Sequence, residues 1–309
     1  MNFLSMEYFT TVAHEKSFTK AAEKLHITQQ TLSSHISNIE KELGCRLFVR
    51  HIPLELTYAG HVFLQYATDF RQKHHAMMQE FHDIAKNQKG VLRIGIAYTR
   101  GRTIMPMLTE KFLRIHPYYE VRLVEDSNEM LQKYLLNGDV DLAIANFPES
   151  LPGIELHPFY FEEIMLLIAH PLLQQLYQEN TENIVQKIEE GDLSVLKNCP
   201  FVLGSPDDIT GSIGRHFLRQ ANITPIVKAQ SDNVETILSM CVRGIGACFC
   251  PENLMKMTLS KSQINRLRSF RLSDDAKYQI RFGVLQQNYQ WNAISEFMKI
   301  AVEAFPEPC

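Results

Sequence analysis

The sequence predicts a mixed α/β chain in which a small all-α segment precedes two α/β units, and three observations carry that expectation. Between Ser17 and Gly44 apolar residues recur at helical spacing along one side of two short segments. From Ala59 to about Asn87 there is no proline, no glycine after Gly60, and an apolar or aromatic residue every three or four positions. From Val91 onward short apolar runs alternate with amphipathic ones, the order that calls for a mostly parallel sheet covered on both faces.

Composition bounds the rest. A chain of 309 residues with 45% hydrophobic content can bury a sizeable core in more than one domain. Its longest apolar run, from Ile164 to Leu173, is broken by His170 and Pro171 and falls short of the roughly 18 residues a membrane helix needs. The N-terminus has no basic leader ahead of an apolar core, so a cytoplasmic protein is expected. Six cysteines, at 45, 199, 241, 248, 250 and 309, suit reduced thiols in such a compartment. The net charge of -4 says nothing of nucleic acid, because a binding footprint is local.

In the second of the two short helices Leu32, Ile36, Ile39 and Leu43 share one face, which goes inward. The opposite face carries Gln30, Ser34, Ser37 and Lys41, flanked by Gln29 and Ser33, with Thr28 as N-cap and Gly44 as the C-terminal stop. The preceding helix, to about Leu25, packs Phe18, Ala21, Ala22 and Leu25, small enough for a close crossing. A helix-turn-helix needs this layout, in which one helix braces and the second offers short hydrogen-bonding side chains to base edges. The same spacing also suits a helical hairpin within a larger core, and the pattern alone does not choose. After Gly44, Leu47, Leu54 and Leu56 flank a Pro53 turn and predict a two-stranded wing, with Arg46, Arg50 and His51 placed to meet phosphates.

The run SFTKAAEKLHITQQTLSSHISNIEKELGCRLFVR, followed by LTYAG, resembles the winged helix-turn-helix of LysR-type transcriptional regulators. The resemblance implies that Thr28 to Ile36 begins the recognition helix and that Gln29, Gln30, Thr31, Ser33 and Ser34 stand at a double-stranded DNA operator, with Thr28 and Arg50 beside them. Ser34 departs from the basic residue many members carry, and the wing lacks a further arginine often found there. Residues 1 to 60 hold six Lys/Arg and six Asp/Glu, so non-specific electrostatic affinity is expected to be modest.

In the next segment Phe63, Tyr66, Phe70, His74, Met77, Phe81 and Ile84 form a heptad-like seam on a helix of about 43 Å, suited to pairing with a second copy. The family uses this linker helix as its dimer interface, and the resemblance implies dimers that join into tetramers. The polar stretch Asn87 to Gly90 marks a hinge.

Strands are expected at 91–97, 119–126 and 140–146, separated by a helix over 103–116 with Pro106 in its first turn and a helix capped by Ser127. The alternation restarts after about residue 160, and a closing helix is expected from about Tyr289 to Phe305. The family's effector domain has a periplasmic-binding-protein-like fold of two subdomains joined by crossing strands near 160 and 266. The expected boundaries are therefore 1–60 for the DNA-binding domain, 61–89 for the linker, 90–160 with 267–309 for subdomain I, and 161–266 for subdomain II. Leu172 to Asn198 is longer than in the family and acidic, and is expected as a surface insertion.

Ligands of open α/β sheets bind beyond the carboxyl ends of strands, where helix N-termini aim their amides outward. The first such junction holds Thr99, Arg100, Arg102 and Thr103, which points to an anionic effector such as a carboxylate unless the arginines neutralise Glu125 or Asp126. In the family the position matching Thr99 commonly contacts the effector. Ser127, Asn146, Phe147, Gly204 and Ser205 end the other strands, while Gly244 reads as a helix stop needing positive φ. A rival reading uses Cys248 and Cys250, on one face of a strand, with Cys241 or Cys199 as an oxidant sensor or metal site; the absence of a CxxC pair and of histidines at ligand spacing favours packing. No GxSxG, P-loop, GxGxxG or HExxH occurs, so neither catalysis nor a cofactor is expected. RNA polymerase would be the partner downstream of the operator.

Overall fold

The computed structural model describes residues 2–49, 51, 53–85, 89–287 and 289–305, and for Thr99 the backbone alone. The chain divides into two compact units, one of residues 1–87 with the short segments 136–139 and 287–292, the other of the remainder.

The first unit opens with α1 (Phe3–Glu15), α2 (Phe18–Lys24) and α3 (Gln29–Leu43). Helix α1 is capped by Asn2 and buries Phe9 and Val12. Leu32, Ile36 and Ile39 pack with them, Ala21 and Ala22 giving the close crossing expected of α2. The wing is a two-stranded ladder, β1 (Phe48–Val49) and β2 (Glu55–Leu56), paired Phe48 to Leu56. Helix α4 (Tyr58–Ile84) begins at a Thr57 cap and runs 27 residues, about 40 Å at 1.5 Å per residue. Gly60 in its first turn lies so close to the wing that an added Cβ would collide with the Leu47 carbonyl oxygen. The expected end of this helix and the start of the hinge, at Asn87, lie outside the described residues, and Lys89 and Gly90 already belong to a strand.

The second unit starts with β3 (Lys89–Ile96), α5 (Tyr98–Ile115), β4 (Tyr118–Glu125), α6 (Asn128–Asn137) and β5 (Leu142–Ala145). Strand β3 is parallel to both β4 and β5, as the alternation demands. Then β6 (Ile154–Ala169) runs through both halves of the unit. It is followed by α7 (His170–Tyr177), α8 (Thr181–Glu189), β7 (Pro200–Leu203), α9 (Ile209–Gln220), β8 (Ile226–Gln230), α10 (Val234–Val242) and β9 (Cys248–Pro251). The chain closes with α11 (Glu252–Thr258), α12 (Lys261–Ile264), β10 (Leu267–Arg271), β11 (Lys277–Leu285) and α13 (Asn292–Ala304).

Two features differ from expectation. The seven-stranded sheet found among the described residues is mixed, because β6 pairs antiparallel with β9, β10 and β11. Strands that return from the other half arrive in the opposite sense, so only β3, β4, β5 and the separate pair β7 and β8 keep the parallel order. The boundary at 266 also shifts. Strand β10 pairs with Met165–Ala169 and buries Leu267 and Phe270 in the second half, so the chain crosses back only after Arg271. Along β6 the crossing comes between Glu163, still paired with β11, and Ile164, paired with β9. The 172–198 segment is no surface excursion, since Leu172, Leu173, Ile184, Val185, Ile188, Leu193 and Leu196 are buried. Among the described residues no helix is long and apolar enough to cross a membrane.

Candidate functional site

In the first unit the N-terminus of α3 presents polar side chains to solvent while Leu32, Ile36 and Ile39 are buried; Leu43, expected on the same inward face, is exposed at the helix end, beyond the reach of the core. Thr28 caps it, its hydroxyl accepting from the Thr31 amide at 3.1 Å and lying 2.8 Å from the Thr31 hydroxyl. Gln29, Gln30, Ser33, Ser34, Ser37, Asn38 and Lys41 line one continuous surface. The expected operator contacts thus lie together, Thr28 and Thr31 serving the helix start. Arg50 lies outside the described residues.

Glu40, on the inner side of α3, was not singled out in the sequence. Its buried carboxylate accepts from the Leu47 amide at 2.9 Å and the Phe48 amide at 3.4 Å, and pairs with Arg46 at 2.9 Å. Burial acts to raise its pKa, but these two amides and the guanidinium override it and hold the group below its ordinary value. Arg46, expected at phosphate, therefore carries an internal partner.

On α4, Tyr66, Phe70, Met77, Phe81 and Ile84 are exposed, as a seam awaiting a partner would be. Phe63 is not part of it. Its ring packs edge-on against Phe9 with centroids 4.7 Å apart, because the first turns of α4 complete the core of the first unit.

The second unit changes the reading of Tyr98 to Thr103 most. Helix α5 begins at Tyr98, five residues earlier than expected, so this stretch is helical and Pro106 lies inside the helix. The Thr99 side chain lies outside what is described. Arg100 is 5% exposed and is not offered to solvent. Its Nε and Nη2 donate to the two carboxylate oxygens of Glu162, each at 2.9 Å, and Nη2 reaches the Tyr278 hydroxyl at 3.3 Å. The Tyr160 hydroxyl donates to the same carboxylate at 2.9 Å, as does that of Tyr278. Burial alone would lower the Arg100 pKa and raise that of Glu162, yet each partner reverses the direction for the other, so both stay charged. The network joins the first turn of α5 to β6, which runs through both halves, and to β11 beside it.

Arg102, one residue beyond Gly101, is exposed and pairs with Glu235 in the first turn of α10. That contact ties the first half of the unit to the second. Of the candidate partners, Asp126 is engaged elsewhere, accepting from the Ser127 amide at 2.7 Å and the Tyr134 hydroxyl at 2.9 Å, and Glu125 lies against Gly101.

Other expected contacts have local duties. The Thr103 hydroxyl donates to the Arg100 carbonyl at 3.1 Å. Ser127 accepts from the Met130 amide at 3.3 Å as the cap of α6. The Asn146 side-chain amide donates to the Gln279 carbonyl at 3.2 Å. Phe147 is buried against Gly283, and its carbonyl accepts from Arg281 at 2.6 Å, which makes it packing and not a ligand face. Gly204 is buried beside Asp208, the N-cap of α9, and the Ser205 hydroxyl accepts from the Asp207 amide at 3.4 Å. Gly244 follows α10 with φ +77, as a helix stop requires.

The thiols read against oxidant sensing. Cys199, Cys241, Cys248 and Cys250 are all buried. Burial pushes Cys199 up to about 12, and a hydrogen bond with Cys241 together with burial pushes Cys248 well up, so the reactive thiolate is disfavoured. No group of three or more potential metal ligands occurs among the described residues.

Comparison with known proteins matches both units. Residues 3–61 match the bacterial regulatory helix-turn-helix protein, lysR family, and residues 85–306 match the LysR substrate binding domain. The chain is 29% identical over 259 residues to the uncharacterized HTH-type transcriptional regulator YcgK of Bacillus subtilis, covering 81% of this chain and 80% of that one. It is 25% identical over 304 residues to the HTH-type transcriptional regulator IlvY of Escherichia coli, covering 97% and 98%. Among solved structures, full-length OxyR from Pseudomonas aeruginosa superposes with a TM-score of 0.69 at 22% identity, covering 97% and 94%. Full-length CbnR in complex with its target DNA gives 0.59 at 20% identity, covering 98% and 100%. At these identities the structural likeness concerns the fold.

Proposed function

The chain belongs to the LysR family of DNA-binding transcriptional regulators, and from that premise we propose that it is a one-component cytoplasmic regulator that reads its operator with the start of α3. Gln29, Gln30, Ser33 and Ser34 meet base edges in the major groove, while Thr28 and Thr31 fix the helix start. The observation that carries this reading is the continuous polar surface of α3 opposite the buried Leu32, Ile36 and Ile39. A small effector acts between the two halves of the second unit. If it is an anion, its acidic group meets Arg102 after displacing Glu235, since Arg100 already has a buried counter-ion. Dimers pair along the exposed seam of α4 and join into tetramers, whose altered geometry on DNA changes access for RNA polymerase.

The test is operator binding. Gln29→Ala and Ser33→Ala are each expected to weaken a mapped operator by about 1–3 kcal/mol per lost base contact, with dimer formation intact. Unchanged affinity in both variants would remove the recognition-helix assignment.

A further inference from the structure

The first two turns of α3 offer a narrow chemistry to a DNA base. From Thr28 to Ser34 the chain carries no charged side chain. The Thr28 and Thr31 hydroxyls are engaged with each other at 2.8 Å, and the Thr28 oxygen also accepts from the Thr31 amide at the helix start. That leaves two carboxamides and two hydroxyls, those of Gln29, Gln30, Ser33 and Ser34, which line one surface and have no hydrogen-bond partner among the described residues. Leu32 and Ile36, both fully buried, hold the helix from behind, so these groups project from an anchored backbone.

Lys41 and Arg46 do not change this inventory. Lys41 lies on the same surface but twelve positions beyond Gln29, about 18 Å along the helix axis. Base edges are met by the N-terminal residues of a recognition helix, so Lys41 falls where phosphate is met. Arg46 pairs with the buried Glu40 at 2.9 Å. In the major groove guanine presents two acceptors, N7 and O6, and calls for Arg or Lys, whereas adenine presents one acceptor, N7, and one donor, N6. A carboxamide carries one donor and one acceptor side by side, so it matches adenine at both points and guanine at only one. A basic side chain at position 34 would favour guanine; Ser34 does not. Among the described residues no carboxylate lines the surface either, so cytosine N4 lacks its usual acceptor.

We propose that α3 is an adenine reader. Gln29 and Gln30 each face one adenine, Nε2 donating to N7 and Oε1 accepting from N6, while Ser33 and Ser34 add single hydrogen bonds and the helix reads no guanine. This rests on the assignment of α3 as the recognition helix and goes beyond it by naming the bases.

The probe is the tightest duplex that the full-length protein selects from a random pool, with binding followed by fluorescence anisotropy. Replacing its adenines one at a time by 7-deazaadenine, which lacks the N7 acceptor, is expected to weaken binding about two- to tenfold at two positions of each half-site. 7-Deazaguanine has no effect at any position in the major-groove footprint of α3. Gln29→Ala abolishes the sensitivity at one of the two adenines and Gln30→Ala at the other, and neither alters the salt dependence of binding, since neither removes a charge. Gln30→Lys moves the preference at its position from adenine toward guanine. Weaker binding by the two alanine variants with 7-deazaadenine silent, or a loss at 7-deazaguanine as large as at 7-deazaadenine, would overturn the adenine reading and leave α3 as the recognition helix. A selected duplex bound equally by the wild type, Gln29→Ala, Gln30→Ala and Ser33→Ala would overturn both.

Discussion

Glu40 shows how one buried charge sets the geometry of the DNA-binding unit. Its carboxylate holds the amides of Leu47 and Phe48, and so fixes where the chain leaves α3 and enters the wing. The group's folded value lies below its ordinary 4.5. The stability it contributes is therefore complete above about pH 4.5 and is lost as the pH falls through the folded value. Thermal melts of the wild type should fall on acidification below that point, and Glu40→Gln should flatten this part of the profile. At neutral pH the same variant should lose about 1.5–3 kcal/mol, the range of hydrogen bonds to a charged group. A melting temperature unaffected by Glu40→Gln at pH 7 would show that the wing is held by packing alone. The sequence conceals this residue, because its partners lie seven and eight positions onward at the entry to the wing, where no helical periodicity announces a contact.

At the scale of elements, legibility follows periodicity and capping. Helix α3 was readable because Leu32, Ile36 and Ile39 mark its inner face and Thr28 and Gly44 mark its ends. The start of helix α5 is not legible because its N-cap, Ala97, has no capping side chain, and its first turns, with Gly101 inside them, carry no apolar stripe. The partners of its arginines were beyond reach for a different reason: Glu162 and Glu235 lie 62 and 133 residues away, and only the finished topology brings them near. The seam of α4 was legible as a stripe, but a stripe does not say which protomer covers it. Phe63 is covered from within the unit, whereas Phe70 and Phe81 stand exposed. Phe70→Asp and Phe81→Asp should therefore weaken self-association, since symmetry places each new charge in the interface twice, while the helical content of the chain stays unchanged. Sedimentation of both variants checks this, and an unaltered oligomer would assign the seam to a contact other than pairing of the linker helices.

For the molecule as a whole, the Arg102–Glu235 pair is a contact by which the first turn of α5 and the first turn of α10 hold the two halves of the effector unit at one setting. Glu162 makes the neighbouring Arg100 a fixed part of the frame, so Arg102 is the arginine of this turn whose partner can be exchanged. Arg102 is largely exposed and Glu235 partly so, and ion pairs open to solvent contribute about 0–1 kcal/mol. That small figure suits a regulator, because a ligand shifts the setting of the halves only by its own difference in affinity for the two states. An anionic effector that replaces Glu235 on Arg102 must first overcome the internal pair. Glu235→Gln removes the competitor and should tighten a carboxylate found by thermal-shift screening, by at most about fivefold given the 1 kcal/mol ceiling. Arg102→Gln should weaken the same ligand and leave uncharged ligands alone. Calorimetry on both variants decides the matter: a ligand that binds the wild type and both variants equally does not use Arg102, and the Arg102–Glu235 pair is then only a strut between the halves.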